Sequence, residues 1–113
     1  MALQRIILEL GSGNDLHGGD YTKAALRAVE DALHHSSLSF LKALKIDPAT
    51  MLVEVTIGVQ RPELVDAAKV KASLPHGQVT VKVVKGGLDV PGELGGDVAV
   101  IASAGISVRL DLA

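Results

Sequence analysis

Alternation of apolar and polar positions predicts β-strands in five stretches of this chain. The stretches are residues 3–10, 51–59, 78–84, 98–102 and 106–112. The run 51–59 has the most regular alternation, with Val53, Val55 and Ile57 on one side. The last two runs are separated by Ser103, Ala104 and Gly105. We therefore expect either one strand that bends at Gly105 or a strand followed by a short fifth one.

Apolar residues at helical spacing predict an amphipathic helix over residues 21–35. Asp20 precedes this stretch and is suited to cap its first turn. Residues 38–44 have the pattern of one or two further helical turns, and residues 61–74 that of a second helix or of two short ones. Residues 47–50 have the composition of a turn. Residues 86–96 contain five glycines and a proline, and we expect a long irregular loop there.

The order of these elements is β-α-β-α-β-β, which predicts an α+β fold in one domain spanning residues 1–113. Right-handed crossovers that run in the same direction place both helices on one face of a mixed four- to five-stranded sheet. The opposite face then carries apolar residues together with Glu54 and Arg109. Because such a face is too apolar for a soluble monomer, we expect self-association through the sheet, as a dimer or trimer.

Composition narrows the classes of function. The net charge of −2 is spread along the chain, which argues against nucleic acid or an anionic membrane as a partner. There is no cysteine, so disulfides and thiol chemistry are excluded, and a reducing compartment is favoured. Arg5 and Glu9 interrupt the first apolar run, which is therefore neither a signal peptide nor a membrane span. We expect a cytoplasmic protein.

The stretch 11–20 concentrates glycine and ligand-type side chains in the connection between the first strand and the long helix. We take this turn as the candidate site, since glycine permits positive φ and close approach of a ligand to the backbone. The candidate ligand-binding residues are Gly11, Gly13, Gly18 and Asp20. Asp15 and His17 are candidate catalytic residues, because a carboxylate can orient an imidazole for proton transfer. Alternatively, Asp15 bonds backbone N–H groups of the turn and His17 bonds a carbonyl, and both have a structural role.

Other chemistries fit this turn poorly. Leu16 stands where a dinucleotide fingerprint requires its third glycine, and the chain has no phosphate-binding Gly-Lys-Ser/Thr. Asp15 and His17 supply at most two metal ligands, too few for a closed tetrahedral site, so we expect no tightly bound metal. The sequence assigns no cofactor.

Two functions from different classes remain open. The first is a small-molecule enzyme or binding protein whose site is the 11–20 turn, closed by the 86–96 loop and by a neighbouring subunit. The second is a non-catalytic structural or interaction subunit of an oligomer, in which the turn is a rigid connector.

The residues Gly11-Ser12-Gly13-Asn14-Asp15-Leu16-His17-Gly18 fit the pattern GxGxDxHG. In this the chain resembles a family of small conserved hypothetical proteins of bacteria and plants. The resemblance implies that Gly11, Gly13, Asp15, His17 and Gly18 are the fixed positions of that family, and it implies no substrate.

The order of elements is also similar to that of the trimeric chorismate mutases of the bacterial α+β type, whose sites lie between subunits. The arginine-rich site of those enzymes has no counterpart among the four arginines of this chain, at positions 5, 27, 61 and 109. The likeness therefore implies sheet-mediated oligomers and not the activity.

Overall fold

The structure, a computed structural model, describes residues 3–34, 45–74, 77–93 and 96–111. The strands and helices in chain order are β1 (Leu3–Asp15), α1 (Tyr21–His34), β2 (Leu52–Val59), α2 (Ala67–Ala72), β3 (Gln78–Lys85), β4 (Leu88–Val90) and β5 (Ala99–Asp111). Single 3-10 turns at Pro48–Thr50 and Pro62–Leu64 lead into β2 and α2. None of the helices in these ranges is long and apolar enough to cross a membrane.

The described strands form one mixed sheet in the order β1-β5-β2-β3. β5 lies antiparallel to both β1 and β2, and β3 lies parallel to β2. β4 pairs with the first residues of β5, from Ala99 to Ile101. β1, β2 and β3 consequently run in the same direction, and their carboxyl ends meet at one edge of the sheet. The α+β class and the mixed sheet agree with the sequence-based expectation.

The core lies between the sheet and the helices. α1 packs on β1 and β5, while α2 packs beside α1 and over β3, so both helices cover the same face. Alternate side chains of β2 and β5 point into this layer and are buried, from Val53 to Val59 and from Val100 to Leu110. The buried side of α1 is made largely of alanine, which allows the helix to lie close to the sheet.

The predicted strand boundaries were wrong in two places. The first strand does not end at Leu10 but continues to Asp15. The segment 86–96, expected to be irregular throughout, contains the short strand β4. In both cases pairing with β5 supplies backbone hydrogen bonds that local composition does not reveal. The last two runs form one strand, which was one of the two alternatives, and Gly105 pairs with Leu10 and Thr56 without a break in it.

The helical predictions were closer. α1 begins at Tyr21 as expected, and Asp20 caps it by accepting a hydrogen bond from the Lys23 backbone N–H over 3.0 Å. The stretch 61–74 forms two short elements, which was one of the two alternatives. Asp66 caps the second of them through the N–H groups of Ala68 and Lys69. The predicted helical turns at 38–44 lie outside the described residues.

Gly11 and Gly13 belong to β1 and bring its backbone into direct contact with α1. A Cβ atom at Gly13 would lie 2.2 Å from the Ala28 backbone nitrogen and 2.4 Å from the Ala24 carbonyl oxygen. A Cβ atom at Gly11 would lie 2.4 Å from the carbonyl oxygen of Ala28. Real Cβ atoms do not make such contacts with backbone, so only glycine fits at these two positions.

The substitution Gly13→Ala therefore tests the packing of α1 on β1. Because the new methyl group meets helix backbone rather than a movable side chain, the helix must shift, and overpacking of this kind costs about 1–3 kcal/mol or more. Urea unfolding should show this loss of stability. The matched control is Gly105→Ala in β5, where the nearest atom to a new Cβ is Leu10 Cδ2 at an ordinary 3.6 Å. Equal effects of the two substitutions would contradict this account.

Candidate functional site

Three segments meet where β1, β2 and β3 end, and together we call them the carboxyl edge. They are residues 16–20 after β1, residues 60–66 after β2, and residues 86–90 after β3, the last of which include β4. The first of them leads directly into α1, so the helix N-terminus also lies here. Ligands of α/β sheets commonly bind at the carboxyl ends of strands.

Asp15, the last residue of β1, is buried beneath the turn, with 5% of its surface exposed. Its Oδ2 accepts a hydrogen bond of 2.8 Å from the backbone N–H of Asp20. Its Oδ1 lies 3.9 Å from Lys23 Nζ and 3.8 Å from an Arg27 guanidinium nitrogen. The carboxylate thus connects the end of the strand to the start of the helix.

These partners stabilise the charged form of Asp15. The hydrogen bond from the Asp20 N–H holds the pKa of Asp15 below its usual value, and the positive charges of Lys23 and Arg27 and the N–H of Gly18 act in the same direction. Burial opposes them and raises the pKa, but it does not prevail. A carboxylate that stays charged in this way fits a structural role, in which Asp15 bonds backbone N–H groups of the turn, better than a role in proton transfer.

His17 is exposed at the tip of the turn and makes no hydrogen bond or ion pair within the described residues. No hydrogen bond or ion pair joins it to Asp15, so the two candidate catalytic residues do not form a pair. Their catalytic role stays a prediction.

The candidate ligand-binding residues are placed differently from one another. Gly11 and Gly13 lie within β1, and α1 occupies the space where their Cβ atoms would be. Glycine is required there because the helix backbone, and not a ligand, lies close to the strand. Gly18 lies in the turn, where a Cβ would come within 3.0 Å of Asp15 Oδ2. Asp20 is exposed, and its Oδ1 is occupied by capping α1. Of the turn residues, Gly19 has a positive φ of 60°.

A contact between Tyr21 and Asp89 lies beside this turn. The Tyr21 hydroxyl donates a hydrogen bond of 2.5 Å to Asp89 Oδ2 and so connects the first residue of α1 to β4. The ring of Tyr21 is buried, with 7% of the residue exposed. Asp89 Oδ1 is also buried and has no hydrogen-bond partner among the described residues. A buried carboxylate oxygen without a donor is rare and costly in folded proteins.

The charges around Tyr21 act on its hydroxyl. The hydrogen bond to Asp89 raises the pKa of Tyr21 above its usual 10.0, and burial and the negative charge of Asp89 raise it further. Arg61, which is exposed on the connection after β2, partly offsets this rise. Sequence reasoning missed this pair, because the two residues are 68 positions apart and no motif spacing relates them.

No group of three or more histidine, aspartate or glutamate side chains that could hold a metal ion is found within the described ranges. The carboxyl edge thus offers a buried tyrosine–aspartate pair, an exposed arginine and an exposed histidine around one helix N-terminus. Such groups can bind a small polar molecule or exchange a proton with it.

The chain belongs to the conserved hypothetical protein family Lin0512_fam, whose sequence profile matches residues 5–108. The fold is similar to the crystal structure of an FtsZ-like protein of unknown function from Nostoc punctiforme PCC 73102. The two are 38% identical, the alignment covers 98% of each chain, and the TM-score is 0.85. A comparison with curated proteins finds no match.

Two substitutions in the turn separate a structural role from a ligand-binding one. Asp15→Asn removes a charge that the folded state stabilises, so the variant should be less stable at pH 7. The folded pKa lies below the unfolded value of about 3.8, so this contribution is present above pH 3.8 and is lost as the pH falls through the folded pKa. The stability difference between Asp15→Asn and the unchanged protein should shrink over that range in urea unfolding. His17→Ala should change stability by less than about 0.5 kcal/mol, since the exposed ring has no partner among the described residues. A large loss with His17→Ala would overturn this placement.

Tyr21 is the single tyrosine of the chain, and tryptophan is absent, so its ionisation can be followed by ultraviolet absorbance. We expect a titration midpoint above 10 that moves back toward 10 in Asp89→Asn. Since the folded state holds the phenol proton more tightly than the unfolded state, the stabilisation is present below pH 10 and is lost as the pH rises through the folded pKa. Glu93→Gln, in the same segment and without a contact to Tyr21, is the control. A midpoint at 10 in both the unchanged protein and Asp89→Asn would contradict the contact.

Proposed function

We propose that this protein is a non-catalytic interaction subunit that associates with copies of itself through the face of the sheet not covered by helices, which we call the open face. One observation carries the proposal. Seven large apolar side chains of the described residues are exposed, and five of them lie on this face. The five are Leu3, Leu8 and Leu10 of β1 and Leu88 and Val90 of β4, with 45–67% of their surfaces exposed.

The strand register places all five side chains on the same face, on either side of β5. Leu8 and Leu10 stand opposite Ser107 and Gly105 of β5, and Leu88 stands opposite Ile101. The side chain of Leu10 reaches over Gly105, whose Cβ position would lie 3.6 Å from its Cδ2. Each large aliphatic side chain that is left in water forgoes about 1.5–3 kcal/mol of burial. Contiguous patches of this kind usually mark an interface.

The dimensions of the open face fit a second copy of the chain. Four strands about 4.8 Å apart, with eight or more residues of about 3.3 Å each, give a flat area of roughly 500–700 Å². Standard protein interfaces bury about 800 Å² on each partner, and side-chain relief raises the accessible area of a sheet above its flat area. Two open faces can therefore pack as a β-sandwich with an interface of ordinary size.

The charges of the open face also favour a copy of the same chain. Arg109 Nε donates to Glu54 Oε1 over 2.5 Å near the middle of the face, and both side chains remain partly exposed. A two-fold axis through this pair would bring the acid of one copy near the base of the other, as in an isologous interface. A partner with charges of a single sign would match only one member of the pair.

The second candidate function is small-molecule binding at the carboxyl edge, completed by a neighbouring subunit. It is favoured by Asp89 Oδ1, which is buried beside Tyr21 and has no donor in the part of the chain that the structure describes. A bound molecule with a hydrogen-bond donor would satisfy this oxygen. The supporting experiment is a thermal-shift screen of small amines, in which Asp89→Asn and His17→Ala abolish the shift while Glu93→Gln retains it. Loss of stability alone in these variants would favour the interaction subunit.

The Nostoc protein is described as FtsZ-like and of unknown function, and that description names no ligand. We further propose a cytoplasmic location, which is supported by the absence of cysteine.

Substitution of Leu10 tests the proposed interface. Sedimentation equilibrium at micromolar concentration should give an oligomer for the unchanged protein, against a chain mass of 11.7 kDa. Leu10→Lys should shift the equilibrium toward monomer by at least tenfold in the dissociation constant, since it places a charge in the apolar contact. Leu64→Lys is the control, because Leu64 is similarly exposed, at 51%, but lies on the connection after β2. A monomer in the unchanged protein, or equal effects of the two substitutions, would refute the proposal.

A further inference from the structure

The two outer strands of the sheet are protected to different degrees. Side chains of α1 bond backbone groups on the outer edge of β1 at Ser12 and Asn14. Asp31 Oδ2 accepts a hydrogen bond of 2.9 Å from the Ser12 N–H, and Arg27 donates one of 2.6 Å to the Asn14 carbonyl oxygen. The outer edge of β3 pairs with no strand within the described residues. Exposed backbone groups on such an edge are a template for pairing with another chain.

The backbone groups that β3 presents on this edge can be identified. The Gln78 N–H donates to the Met51 carbonyl and the Gly86 N–H to the Val59 carbonyl, so the even-numbered positions turn toward β2. Directions alternate along a strand, and the N–H and C=O groups of Val79, Val81 and Val83 therefore point outward.

A groove lies beside this edge on the side of the helices. Its volume is about 410 Å³, and it is lined by Ala68, Lys71, Ala72, Leu74, Gly77 and Val79. The helix-facing valines of β3 are half-buried, whereas their neighbours Val53 and Val55 on β2 are buried. The apolar layer under α2 is thus open at this edge. A strand edge beside a helix-lined apolar groove is an arrangement that binds an extended peptide as an added strand.

The charges around the edge indicate what kind of peptide fits. Lys71 lines the groove, Lys82 extends from the other face of β3, and Lys69 and Lys85 are exposed nearby. A second β3 strand would bring these lysines close to those of its own copy, and repulsion disfavours that pairing. An extended segment with acidic side chains would instead meet complementary charge.

We propose that the outer edge of β3 and the groove beside α2 bind an extended acidic peptide segment of a partner protein, which adds to the sheet as a strand. Its apolar side chains lie in the groove under α2, and its alternate acidic side chains face Lys82. The backbone edge of β3 and the groove beside α2 are separate from the carboxyl edge. They border the open face, because Lys82 lies on that face of β3, the outermost strand. The proposal does not depend on either candidate function.

The probe is a fluorescein-labelled octapeptide of alternating valine and glutamate, titrated to millimolar concentration in fluorescence anisotropy at low salt. Binding should be weakened about two- to fivefold by Lys71→Glu and by Lys82→Glu, the range of single exposed charge pairs. Arg5→Glu makes a similar change of charge on the opposite edge strand and should leave the affinity unchanged. Circular dichroism melting of each variant establishes that it is folded.

Amide hydrogen exchange measured by NMR identifies the place of binding. In the free protein, the amides of Val79, Val81 and Val83 should exchange faster than those of Thr80, Lys82 and Val84. The peptide should slow the first three. The proposal is overturned if the octapeptide does not bind, or if a valine–lysine octapeptide binds equally well. It is also overturned if those three amides are already slow in the free protein, which would show that this chain or a second copy covers the edge.

Discussion

Close contact between the backbone of β1 and the backbone of α1 determines the rest of this structure. Gly11 and Gly13 present no side chain, and Ala24, Ala28 and Ala32 present only methyl groups, so the helix lies directly on the strand. Many weak dispersion contacts, rather than large side chains, hold the two together. This is how a chain with only two aromatic residues, Phe40 and Tyr21, can still have a well-packed core.

The same contact determines what the turn after β1 can do. With α1 held against the strand, only five residues separate Asp15 from the first helical residue. The buried carboxylate of Asp15 accepts a hydrogen bond from the backbone N–H of Asp20 in this turn. The side chains left to the solvent are those of Leu16, His17 and Asp20, and Asp20 caps α1. Tyr21, at the first position of the helix, is directed toward β4 and reaches Asp89. The chemistry of the carboxyl edge therefore depends on the position of α1 as much as on the glycine-rich sequence.

Sequence patterns predicted the elements better than the roles of individual residues. The amphipathic pattern of 21–35 and the alternation of 51–59 identified α1 and β2, because one buried face imposes its period on the sequence. The same reasoning predicted that β1 ends at Leu10, because glycine is common in turns. The contact of a strand glycine with a helix backbone leaves no pattern in the local sequence. For the same reason Gly11 and Gly13 were interpreted as ligand-binding, although the atoms that approach them closely belong to α1.

The candidate site shows a second limit of sequence reasoning. Asp15 and His17 are two positions apart in the chain, yet one is buried and the other is exposed. Residues two apart share a face only within a strand, and β1 ends at Asp15, so the alternation does not extend to His17. Tyr21 and Asp89 are in contact only because β4 continues along β5 where β2 ends, which no motif reveals. The second apolar face could be predicted from alternation alone, because successive side chains of a strand point to opposite faces and both sets contain aliphatic residues.

The distribution of uncovered apolar surface brings these observations together. Two helices cover one face of the sheet, and side chains of α1 bond the edge of β1 at Ser12 and Asn14. The open face is not covered by the helices, and the edge at β3 pairs with no strand within the described residues. The open face is broad, carries five exposed aliphatic side chains and has paired charges of both signs, which suits a copy of the same chain. The edge at β3 is narrow, offers backbone groups and is bordered by lysines, which suits a single extended acidic segment. Because one surface is a face and the other an edge of the same sheet, both can be occupied at once. Association of copies through the open face would then leave each β3 edge accessible to a partner.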